Sequence, residues 1–100
     1  MLGSPEPDMT LASEIRDLVE QCVRGELGVH AMDRRLAAYV RKVGAAKDGA
    51  EARKLYGSAR ALDSEMSYGH RTEEDVRSEL RRILAEVDTI YHSTTQAGSR

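Results

Sequence analysis

Tryptophan and phenylalanine are absent from this chain of 100 residues, and four tyrosines are its whole aromatic content. A core must therefore be built from Leu, Val, Ile, Ala and Met, side chains that interlock along helix ridges. A sheet protein of this size would show Val, Ile, Thr and aromatics alternating at period two, and no stretch here does so. The single cysteine, Cys22, excludes an internal disulfide. It falls in an apolar helical stripe and reads as a buried structural thiol in a reducing compartment. Nowhere do 18 apolar residues follow one another, so no membrane helix is expected. The opening Met1-Leu2-Gly3-Ser4 has neither the basic nor the apolar region of a signal peptide, and the reading is a cytoplasmic protein.

An excess of one charge is missing too. Fifteen Lys and Arg face 17 Asp and Glu, a formal net charge of -2, which gives no long-range pull toward phosphate backbones or anionic membranes. Nucleic-acid binding is thus disfavoured. No two of His30, His70 and His92 lie three or four residues apart, no CxxC occurs, and no glycine-rich phosphate loop or GxSxG elbow is present. The expectation is a protein without metal or cofactor, and not an enzyme. At this length there is room for one domain with one modest core.

What is present is helical periodicity. Thr10 is a candidate N-cap, after which Leu11, Ile15, Leu18, Val19, Cys22 and Val23 form one stripe that Gly25 stops. A second helix begins at Val29 or His30 and carries Val29, Met32, Leu36, Val40 and Val43, with Tyr39 at its edge and Gly44 closing it as a left-handed residue. The third opens after Asp48 and turns Ala52, Leu55, Tyr56, Ala59, Leu62 and Met66 inward, with close helix packing as the reason for its interior Gly57. The fourth starts at Thr72-Glu73-Glu74-Asp75, a cap followed by three acids at the positive end of the helix dipole. It continues through Val76, Leu80, Ile83, Leu84, Val87, Ile90 and Tyr91. Short links keep sequential helices side by side, so the predicted fold is all-α: an antiparallel four-helix bundle over 9–91, with a flexible leader, 1–8, and a disordered polar tail, 92–100.

The most unusual surface gathers Asp63, Glu65, Tyr68, His70, Glu73, Glu74 and Asp75 around the third junction, an acidic rim about one aromatic. As acid/base catalysts these carboxylates would need an enclosing pocket, for which a chain this small has little spare volume. As a contact surface they suit the basic cleft of another protein. Arg60, Arg71 and Arg77 stand close enough in sequence to neutralise some of them. A second charged feature is Arg34, Arg35, Arg41 and Lys42, where positions 34, 38, 41 and 42 share a face away from the apolar stripe.

Residues 15–83 resemble the colicin D-type, self-protective immunity proteins, small helical bundles with which bacteria neutralise their own nuclease toxins. The resemblance rests on an opening amphipathic helix leading into Gly25-Glu26-Leu27, on Met32-Asp33-Arg34-Arg35-Leu36, on Ala61-Leu62-Asp63-Ser64-Glu65-Met66, and on Glu79-Leu80 in the closing helix. It implies a one-to-one complex with a basic nuclease toxin, in which Asp63, Glu65, Glu73 and Glu74 occupy the RNA-binding cleft in place of phosphates. The leading expectation is accordingly a small inhibitor that binds a protein partner through the acidic rim. The alternatives are a helical adaptor or homodimer using a broad fourth-helix stripe, and a small DNA-binding regulator using the second helix.

Overall fold

The computed structural model describes residues 10–46 and 49–92, and the predicted leader, Asp48 and all but the first residue of the predicted tail lie outside them. Five helices follow: α1 (Leu11–Val23), α2 (Val29–Ala37), α3 (Val40–Ala45), α4 (Ala50–Ser67) and α5 (Glu73–His92). No strand occurs among the described residues. None of these helices is long and apolar enough to cross a membrane.

The helix ends obey local chemistry. Thr10 caps α1, its Oγ1 accepting from the Ser13 N–H at 3.1 Å. At the other end Gly25 takes φ +82°, which glycine enters without a Cβ clash. There the Gly25 N–H donates to the Cys22 carbonyl and the Glu26 N–H to the Gln21 carbonyl, the paired bonds of a Schellman stop. The same motif ends α4, with Gly69 at φ +83° and the Gly69 and His70 amides bonded to Met66 and Glu65. Helix α5 opens on a reciprocal cap: the Asp75 N–H donates to Thr72 Oγ1 at 3.0 Å, and the Thr72 N–H donates to Asp75 Oδ2 at 3.1 Å.

Three local expectations are corrected. The predicted second helix is two, α2 and α3, because the Ala38 and Tyr39 amides bond the Arg35 and Leu36 carbonyls three residues back, a tightened turn that breaks the α pattern. Val43 is still buried after this turn, but Val40 is 55% exposed. Gly44 is not a left-handed cap, since it lies within α3 and the glycines with positive φ among the described residues are Gly25 and Gly69. Gly57 has no packing reason either, because a Cβ there would meet nothing within 4 Å.

Cross-helix pairs fix an up-and-down arrangement. Arg16 near the start of α1 pairs with Asp88 near the end of α5, and Arg77 near the start of α5 donates to the Cys22 carbonyl near the end of α1. Asp33 of α2 meets Arg60 of α4, while Glu65 and Arg71 close the hairpin of α4 and α5. Helix α4 touches all four other helices and contributes the small buried residues Ala52 and Ala59 to the core. Around it lie Ile15, Val19 and Cys22 of α1, Val29, Met32 and Leu36 of α2, Leu55 and Leu62 of α4 itself, and Val76, Leu80, Ile83 and Val87 of α5. Burial of aliphatic side chains of this size contributes roughly 1.5–3 kcal/mol each.

Candidate functional site

The turn of residues 68–72 sits at the end of the bundle that also carries the α1–α2 turn, for a Cβ on Gly28 would lie 4.0 Å from Glu73 Oε2. Its anchor points are rigid, since the Schellman stop of α4 and the cap of α5 leave few backbone groups without a fixed partner.

On this frame the seven predicted residues separate. Tyr68 is the C-cap residue of α4 and is 78% exposed, with its ring centroid 6.3 Å from that of exposed His70. Glu74 is exposed and forms no ion pair or side-chain hydrogen bond with the described residues. Three other acids remain at the rim but are engaged within the chain. Glu65 pairs with Arg71, and Glu73 Oε2 accepts from Arg77 at 3.0 Å. Asp75 serves the α5 cap, and the hydrogen bonds from the Thr72 backbone and hydroxyl hold its carboxyl below the ordinary range.

Asp63 takes no part in the rim. Its side chain is only 13% exposed and turns toward α2, with Oδ1 at 2.6 Å from His30 Nδ1, yet no donor is aligned to form a hydrogen bond with that buried oxygen. Burial pushes the Asp63 carboxyl up, and the charge of Asp33 adds to this against the lowering effect of His30. Asp33 in turn holds Arg60, whose Nε donates to Oδ1 at 2.8 Å while its Nη1 donates to the Tyr56 hydroxyl at 3.1 Å. These partners raise the Arg60 value further above its already high ordinary one. His30, Asp33, Tyr56, Arg60 and Asp63 thus form a polar seam between α2 and α4. Sequence reading missed it because Asp33 and Arg60 lie 27 residues apart and no local pattern links them.

No group of His, Cys, Asp and Glu among the described residues is arranged to hold a metal ion. An open cavity of about 330 Å³ lies at the far end of the bundle, lined by Thr10, Ala12, Ser13, Arg16, Glu51 and Asp88, and so contains none of the seven. What the α4–α5 turn offers chemically is an exposed phenol and imidazole beside a free carboxylate, with further carboxylates already held by arginines. Such a surface suits recognition of cations and of apolar stems. No protein-family model matches the chain, and neither a curated protein nor a solved structure is found that matches it.

Proposed function

We propose that the protein is a small cytoplasmic inhibitor of the immunity type, which binds a basic nuclease toxin through the α4–α5 turn. The observation that carries this reading is Tyr68, 78% exposed on a turn that two helix-end motifs hold fixed. Tyrosine is among the residues that most often dominate binding energy, and a backbone already held in place needs little ordering on binding. Glu74 in the first turn of α5 supplies charge that no described residue pairs with. Glu65 and Glu73 join the contact by exchanging Arg71 and Arg77 for partner cations, whereas Asp63 belongs to the α2–α4 seam.

A monomer is favoured over the homodimer. Among the described residues only three large apolar side chains are exposed, Val40, Tyr68 and Ile90, and they lie on three separate elements, α3, the α4–α5 turn and α5.

The test is capture from the native host with tagged protein, followed by assay of the captured protein for RNA cleavage with and without added inhibitor. Cleavage should stop at one equivalent, and Tyr68→Ala or Glu74→Lys should weaken binding more than about tenfold with melting unchanged. Equal affinity for both variants, or self-association with no nuclease captured, would overturn the proposal.

A further inference from the structure

Arg34, Arg35, Arg41 and Lys42 are all exposed, and none forms an ion pair with a described carboxylate. The contrast with the rest of the molecule is marked, because Arg16, Arg24, Lys54, Arg60, Arg71, Arg77 and Arg82 each have a carboxylate partner. Arg53 on α4 donates to the Ala46 carbonyl instead, and Arg81, also without a carboxylate, lies on α5. Asp33, the acid next to Arg34 in the chain, is already held by Arg60.

The four residues share one side of the α2–α3 pair. The break between these helices leaves Ala38 and Tyr39 near helical dihedrals, at φ -67°, ψ -14° and φ -94°, ψ 4°, so the helical phase carries across it. At about 100° per residue, positions 34 and 41 fall opposite the buried Met32, Leu36 and Val43, and positions 35 and 42 lie on one flank of them, so the four cations span an arc of about 120°. Lys42 is steadied by the Tyr39 ring, whose centroid lies 5.4 Å from its ammonium. Eight residue steps at 1.5 Å give the stripe a length of about 12 Å.

We infer that the outward face of α2 and α3 is a second docking surface, which takes a short acidic segment of a partner protein. Arginine forks bind carboxylates two bonds at a time, so three arginines and a lysine match a segment with three or four carboxylates along that length. A nucleic-acid duplex fits less well. It would bring about seven phosphate charges over the same 12 Å, more than the four cations match. This surface shares no residue with the α4–α5 turn, and the two readings fail separately.

The experiment is fluorescence anisotropy of the full chain with two labelled probes at low ionic strength. One is a twelve-residue peptide with glutamates spaced three or four apart and leucines between them, and the other is a twelve-base-pair DNA duplex. The peptide should bind more tightly than the duplex, and the paired change Arg34→Glu with Arg41→Glu should weaken it more than about tenfold, while Glu74→Lys leaves it within about twofold. The neutral pair Arg34→Gln with Arg41→Gln should show a smaller loss in the same sense, with thermal melting of every variant as the folding control. Absence of peptide binding, equal binding by the charge-reversed pair, or preference for the duplex would each overturn the inference.

Discussion

At Asp63 the carboxyl sits above the ordinary carboxylate range, chiefly through burial and then through the charge of Asp33, with His30 a partial offset. A carboxyl raised in the folded state favours folding when protonated. Its contribution is therefore full below the unfolded value, near 4, and is lost as pH climbs through the folded value. Asp63→Asn should thus stabilise the protein at pH 7 and leave it nearly unchanged at pH 3, read from thermal melts at the two values. A loss at pH 7 with none at pH 3 would mean that the contact with His30 outweighs the burial of charge. Gly57 allows a second test at this scale. It is exposed in mid-helix, does not need a positive φ and has open space where a Cβ would go, so Gly57→Ala should add about 0.5–1 kcal/mol in urea unfolding. No gain would mean that the glycine has a role the isolated chain does not show. Both residues were visible in the sequence, and both were given the wrong neighbours there. A residue type shows what a position is able to do, while burial depends on which other helix lies across from it.

Among the elements, α5 was the most legible, because its cap, first-turn acids and 3.6-residue stripe agree with one another. Thr72→Ala removes the acceptor for the Asp75 amide and should cost about 1 kcal/mol, measured by chemical denaturation. Asp75 is held below the ordinary range, so its share of this cap is present above the unfolded carboxylate value and disappears as pH falls through the folded one. The gap between Thr72→Ala and the parent should narrow in acid, and a constant gap would assign the effect to the hydroxyl alone. The α2–α3 break was not legible. Val29, Met32, Leu36, Val40 and Val43 keep helical spacing whether or not the helix pauses. Gly49 was unremarked as well. Its Cβ would lie 2.8 Å from that of Ala46, a close approach at the α3–α4 corner between residues whose sequence neighbours give no sign of it. Gly49→Ala should cost about 1–2 kcal/mol, since the tightest contact is the Ala46 methyl, which has no flexible end to move aside, and an unchanged unfolding midpoint would show that the corner relaxes.

For the whole molecule the expected mass in solution is that of one chain, 11.1 kDa, at every concentration tested by light scattering. Mass rising with concentration would return weight to the homodimer and to the α5 stripe, where Ile90 is 51% exposed and Leu84 and Tyr91 are only partly buried. By itself the sequence determined that the protein is helical, where most of its helices begin and end, and most of the apolar residues that form the core, Cys22 among them, although Val40 and Ile90 of the expected stripes are exposed. Those properties depend on neighbours one to four residues away, and such spacing is written directly in the chain. Only the tertiary structure decided which charges are free. Pairs such as Asp33 with Arg60 and His30 with Asp63 form across helices, whereas the Glu73–Arg77 pair lies along one helix and depends on α5 presenting that face. Coulomb attraction falls off within a few ångströms at a solvated surface, so the orientation of each helix face determines whether a charge is spent inside the fold or left for a partner.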